Sequence, residues 1–278
     1  MSDPGNPAAN RRLRLTIQYD GTSFAGWQLQ DGARTVQGCL EKAISKMLGG
    51  RFVRVAAAGR TDSGVHARAQ VVSFLDPAGL PLRAWVAGLN RRLPRDVAVL
   101  DAGEVDEEFD PRRWALGKRY VYRIWNGPVR LPLLHTSTWH VPQPLDLGAM
   151  SEAASLLVGE LDFASFQVSG CAAKTTVRVV ERLEVEGRSG SEVSIDITAT
   201  AFLRHMARGI AGTLVDVGLG KLQVDDIPRI LRSRDRGAAG RTAPARGLTL
   251  EEVYYGDAAP DRRYMAGEVT DGGREESP

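Results

Sequence analysis

The chain has 278 residues, with 36 lysines and arginines against 34 aspartates and glutamates and a net charge of +2. No bulk basicity announces a nucleic-acid partner, and no apolar run is long enough to cross a bilayer. With 43% apolar and 25% charged residues the composition is that of a soluble globular protein, at a length where single cores split, so two domains are expected.

Residues 1–10 are rich in Pro, Asn and Ala, lack the apolar stretch of a secretory signal, and are expected to be disordered. Leu13, Leu15, Ile17 and Tyr19 then alternate with polar partners, the pattern of a half-buried strand. The strand runs out at Asp20-Gly21-Thr22 into a loop holding Phe24, Gly26 and Trp27. These two aromatics can either stack on bases or plug the edge of the core. Thr35 can cap a helix whose apolar stripe is Val36, Cys39, Leu40, Ala43, Ile44, Met47 and Leu48, closed by Gly49-Gly50. Cys39 in that stripe reads as a buried thiol. Cys171 lies far away in sequence, so neither a disulfide framework nor a metal motif is visible, which fits a reducing cytoplasm.

The apolar run 52–58 reads as a strand and Gln70 to Phe74 as another, with Gly59-Arg60-Thr61-Asp62-Ser63-Gly64-Val65-His66-Ala67 as a loop between them. Asp-Ser-Gly is ordinary turn chemistry, and an Arg beside an Asp is often only a solvated pair. Equally, a cation, a carboxylate, hydroxyls and an imidazole on one loop are what a reactive site needs. Pro81 opens a second helix with Leu82, Trp85, Val86, Leu89 and Leu93 on one face, and Val97 to Leu100 gives a further strand. The order β, α, β, β, α, β is an α+β unit like half of a ferredoxin-like fold.

In the strand 119–125, Tyr120, Tyr122 and Ile124 share one face and Arg119, Val121 and Arg123 the other. Cations interleaved with tyrosines fit a nucleic-acid groove, although Tyr122 reads as core. Asp146 caps a helix carrying Leu147, Met150, Ala154 and Leu157. Thr175 to Val185 and Glu192 to Thr200 flank the turn 187–190 as a hairpin. Phe202 is expected to start a helix with Leu203, Met206, Ala207, Ile210, Leu214 and Val217 on its core face, and Arg204 and Arg208 four apart on the other. His205 reads as a rim residue or a phosphate contact. A shorter helix with Ile227, Ile230 and Leu231, an Arg-rich loop and a closing strand from Thr249 to Tyr255 follow. The tail 257–278, holding six acids and three bases, is expected to be disordered and leaves 33 bases against 28 acids before it. Of the 36 basic residues 31 are arginines, which suit phosphate contacts, but a GC-rich genome favours arginine too, so position must carry the argument.

The run 59–67 resembles the Gly-Arg-Thr-Asp-x-Gly-Val-His-Ala signature of the TruA family, the tRNA pseudouridine synthases that act on the anticodon stem-loop. Tyr19-Asp20-Gly21 with Gly26-Trp27-Gln28, Arg119-Tyr120-Val121-Tyr122, Asp162 to Phe166, Phe202 to Ile210 and Ala243 to Leu248 are similar to family segments as well, so the resemblance spans roughly Arg11 to Gly256. It implies an α+β fold of two ferredoxin-like-related halves, 11–113 and 114–256, whose antiparallel sheets, flanked by helices, meet over a basic central cleft. It implies isomerisation of uridine to pseudouridine at tRNA positions 38, 39 and 40, with no cofactor and no metal. Asp62 corresponds to the catalytic aspartate, Tyr120 to the tyrosine against the target uridine, and Arg208 to the arginine that pairs with the carboxylate; Arg60 is expected to bind substrate. A cytoplasmic homodimer acting on tRNA, away from membranes, follows from the same resemblance. The segment around Arg112 departs from the family pattern at Asp110-Pro111, so no tRNA contact is carried onto Arg112. Two competing readings are a non-catalytic RNA-binding module and an acid–base RNA hydrolase, for which His66 is the candidate second group.

Overall fold

The alternation of Leu13, Leu15 and Ile17 puts all three side chains fully inside, and their strand β1 (Arg11–Tyr19) lies in a ten-stranded sheet. The computed structural model describes residues 11–168 and 174–256. The expectations for 1–10, Cys171 and 257–278 fall outside those residues. After β1 come α1 (Val36–Met47), β2 (Ala56–Ala57), β3 (His66–Asp76), α2 (Leu82–Asn90) and β4 (Val97–Val105). The second part adds β5 (Gly117–Trp125), β6 (Trp139–His140), α3 (Leu147–Ser155), β7 (Gly159–Asp162), β8 (Val177–Gly187) and β9 (Glu192–Ala199). It ends with α4 (Met206–Gly218), α5 (Asp226–Ser233) and β10 (Leu248–Tyr254).

The strands lie in the order β4-β1-β3-β10-β5-β9-β8-β7, with β2 on β3 and β6 on β5. Every ladder is antiparallel except β3 with β10 and β5 with β6. β10 is the seam. On one edge Thr249 and Leu250 pair with His66 and Ala67 of β3, and on the other Leu248 to Tyr254 run against Tyr122 to Gly117 of β5. Among the described residues no helix is long and apolar enough to cross a membrane.

The helices form where caps and stripes predict them. The Thr35 side chain accepts from the Gly38 N–H and that of Asp146 from the Ala149 N–H, closing the starts of α1 and α3. Leu40 and Ile44 of α1, Trp85 and Leu89 of α2, and Met150 and Ala153 of α3 are buried in one core cluster. α4 is buried along almost its whole length, and each fully buried Ile210, Leu214 or Val215 stabilises the fold by about 1.5–3 kcal/mol.

Three expectations need correction. Of the strand expected over 52–58 only Ala56–Ala57 forms a ladder, with Ser73 and Val72, because the Val55 N–H is taken by Glu41 Oε1 (3.1 Å) and the same register would set Phe52 opposite Pro77, past the end of β3; Phe52 is exposed, with the Arg54 guanidinium over its ring. Cys39 is half-buried against the core rather than inside it. The helix expected from Phe202 begins at Met206, since His205 takes a left-handed backbone (φ 64°) and the Met206 N–H closes a turn onto Leu203 O. Arg204 therefore precedes the helix and is exposed, so it does not share a helical face with Arg208.

Candidate active site

The loop between β2 and β3 is held from behind by the Asp20–Trp27 segment. The Trp27 N–H donates to Thr61 O (3.1 Å) and the Ser63 hydroxyl to Phe24 O (3.0 Å). The Tyr19 and Thr61 hydroxyls lie 2.8 Å apart, and Gln70 Nε2 donates to Gly59 O (2.9 Å). Position 26 must be glycine, because its φ is +100° and a Cβ there would stand 2.8 Å from Thr61 O. Phe24 and Trp27 are both buried, so the aromatic pair plugs the core and is unavailable for stacking on bases. Loop and backing segment together present Asp62, whose side chain keeps about a quarter of its surface (27%).

The other wall comes from the start of α4. Arg208 Nη1 donates to Asp62 Oδ2 (3.1 Å), and Nε of the same guanidinium donates to Ala243 O (2.8 Å). The Ala243 N–H returns a bond to Arg208 O (3.0 Å). This strap of chain can lie on the helix because position 212 has no side chain; a Cβ there would fall 1.8 Å from Arg241 O. Next to Arg208 the left-handed turn swings His205 inward, so its Nε2 sits 3.3 Å from the same Asp62 oxygen. Burial alone pushes the Asp62 carboxyl up, but the N–H and charge of His205, followed by those of Arg208, outweigh it and hold the pKa below the ordinary value of 3.8. Both contacts converge on Oδ2. Among the described residues Oδ1 accepts no hydrogen bond, so one oxygen is clamped and the other is left unengaged on a side chain that is 27% exposed. A carboxylate kept ionised and aimed in this way can serve as a nucleophile or as a base.

Tyr120 lies on β5 with its ring edge-on to Phe202 (4.8 Å between centroids), and 7% of its surface is exposed. Burial first, then the nearby Tyr19 and the Asp62 charge, push its phenol well above the usual range, so it stays protonated. Tyr122 is core, as expected, and its hydroxyl donates to Pro244 O (2.8 Å). Arg60 is exposed beside Asp62 and has no ion pair among the described residues. The structure thus brings together Asp62, Arg208 and the neighbourhood of Tyr120, and leaves Arg60 on the rim of the loop.

The two histidines exchange the parts their positions suggest. His66 Nδ1 lies 3.0 Å from the Gly21 N and 3.1 Å from Asp20 Oδ1, and Nε2 lies 2.9 Å from Thr136 O and 3.1 Å from Arg246 O, so both ring nitrogens are engaged. His66 is therefore a structural tie, not the free acid–base group a hydrolase would need. His205, read from sequence as a rim residue or a phosphate contact, stands against Asp62. The one signal for it was its place beside Arg208 at the start of a helix.

A family model described as tRNA pseudouridine synthase matches residues 15–112 and 153–256, the first segment carrying Asp62 and the second His205 and Arg208. tRNA pseudouridine synthase A of Myxococcus xanthus is 51% identical over 251 residues, covering 90% of this chain and 94% of its own. The proteins of the same name from Pelobacter propionicus and Geotalea uraniireducens are 48% and 47% identical over 245 residues, 88% of this chain and the whole of each relative. With the matched segments holding both walls of the Asp62 site, the chain belongs to the tRNA pseudouridine synthase family.

Proposed function

We propose that this protein isomerises uridine to pseudouridine in the anticodon stem-loop of tRNA, with Asp62 as its catalytic carboxylate. The observation that carries the reading is the clamp on Asp62: Oδ2 is held by Arg208 at 3.1 Å and His205 at 3.3 Å, and Oδ1 is left for the substrate. The reaction breaks the bond from N1 of uracil to C1′, turns the base, joins C5 to C1′, and moves the C5 proton onto a ring nitrogen, so atoms balance with no co-reactant. Asp62 serves this by adding to the base or the sugar, or by taking a sugar proton. The target base must leave its stack, and Tyr120 and Arg60 are the ring and the cation that receive it in this reading. The division into halves 11–113 and 114–256, a homodimer and a cytoplasmic location belong to the same reading.

The test is to incubate the purified protein with undermodified tRNA and map pseudouridine. Asp62→Asn is expected to abolish the product while tRNA affinity stays near that of the wild type. Turnover near the wild-type rate in that variant would remove Asp62 from the chemistry, and an unmodified tRNA bound tightly by the wild type would favour a non-catalytic RNA-binding module.

A further inference from the structure

The cations on β5 are unequally served. Arg119 donates to both oxygens of Asp196, from Nε to Oδ1 at 3.1 Å and from Nη2 to Oδ2 at 2.6 Å, and Arg123 Nη2 to Glu251 Oε1 at 2.8 Å. Those two face away from the core side of the strand. Lys118 shares the other face with Tyr120 and Tyr122, and among the described residues its ammonium has neither a hydrogen bond nor an ion pair. Its arm runs along the backbone at the start of the Asp62 loop. A Cβ added to Gly59 would lie 3.3, 3.5 and 3.9 Å from Nζ, Cε and Cδ of Lys118.

The other charge that bears on Lys118 is that of Arg112, a second cation, whose backbone N–H is fixed by Asp110 Oδ1 (2.8 Å). Burial, and then Arg112, bring the Lys118 ammonium down from 10.5 to about 8, so it is still charged at neutral pH. A half-buried ammonium without an acceptor beside a like charge is unfavourable, and an anion placed between the two would relieve both. The site lies one residue from Arg60 and three from Asp62 along the loop, where an RNA strand carries one phosphate per nucleotide.

We propose that Lys118, with Arg112 beside it, grips a phosphodiester of the RNA strand whose uridine enters the Asp62 site. The assignment rests on the proposed RNA substrate and adds to it a specific phosphate contact. It is tested by tRNA binding at 50 to 200 mM salt with wild type, Lys118→Met, which keeps most of the stem and loses the charge, and Lys118→Arg, which keeps the charge. One lost phosphate contact removes about 0.7–0.9 from the log–log salt slope, so the affinity that Lys118→Met loses across that range should be about threefold less than for the wild type. Lys118→Met should also raise KM for tRNA more than it lowers kcat, and Lys118→Arg should keep the wild-type slope. Circular dichroism confirms that each variant is folded, and Lys118→Gln replaces Lys118→Met if that one is not. A wild-type slope in Lys118→Met, or an equal loss in Lys118→Arg, overturns the assignment and leaves Lys118 a packing residue. Binding decides this whether or not pseudouridine appears, whereas a wild-type protein that forms none refutes the proposed reaction instead.

Discussion

Arg208 and Asp62 are 146 residues apart in the chain, and their side chains meet at 3.1 Å, joining the helix that opens one wall of the site to the loop that forms the other. The guanidinium is fixed through Ala243 O and the carboxylate through the backing segment of Phe24 and Trp27. The arrangement makes the charge state of Asp62 a property of the assembled fold.

Arg208→Met removes one of the two groups that oppose burial, so the Asp62 pKa should rise. A carboxylate with a depressed pKa is ionised above it, and raising the pKa moves the loss of the ionised form to higher pH. The variant should therefore lose more activity at pH 5 than at pH 8, read from kcat/KM across pH. A loss equal at all pH values would mean that Arg208 serves binding alone.

His205 holds the same oxygen, so it is a positioning residue for Asp62. His205→Ala should lower kcat while KM for tRNA changes little, and the acid limb of the pH profile should move up, as with Arg208→Met. His205→Asn, which keeps an N–H donor without a charge, should restore part of kcat. A rise in KM alone would assign His205 to tRNA contact.

The phenol of Tyr120 is held protonated, which disfavours a phenolate base, and a role for its ring in holding the flipped base is the expectation to test. Tyr120→Phe should keep turnover within about tenfold of the wild type, since loss of a general acid or base typically costs about 100-fold or more. Tyr120→Ala should lose turnover and weaken binding of the target stem-loop, by about 1–3 kcal/mol if the ring stacks on the base. A drop of about 100-fold in Tyr120→Phe would restore a proton-transfer role for the hydroxyl.

His66→Ala strands the Gly21 N–H and the carbonyls of Thr136 and Arg246 at a site that is 9% exposed. A buried donor or acceptor left unsatisfied costs about 1–3 kcal/mol, so the denaturation midpoint in urea should fall with an unchanged m-value. A midpoint equal to the wild type would mean that water replaces the imidazole.

Sequence reading recovered what depends on near neighbours. Alternation located β1 and the face of Tyr120 and Tyr122, capping residues located α1 and α3, and the run around Asp62 marked the loop. What it missed depends on how distant segments share space. Phe52 looks like a strand residue, yet the register of β2 would set it opposite Pro77, past the end of β3. Phe202 and Leu203 carry a helical pattern, yet they pack as a lead-in, with Phe202 against Tyr120, and the turn at His205 is invisible in composition because it takes a conformation that non-glycine side chains seldom adopt. The pairing of His205 with Asp62 and of His66 with the Thr136 and Arg246 carbonyls joins residues 70 to 180 positions apart.

The seam strand has a consequence for how the molecule comes into being. A ribosome delivers β3 and β5 well before Leu248–Tyr254, so in a nascent chain both leave an unpaired backbone edge on the side where β10 will later insert. Until that insertion, nothing in the sheet holds the Asp62 loop opposite Arg208, and the carboxylate waits without its clamp. The meeting of Asp62 with Arg208 is then a late event of biosynthesis, brought about by the same insertion that covers the open edges of β3 and β5.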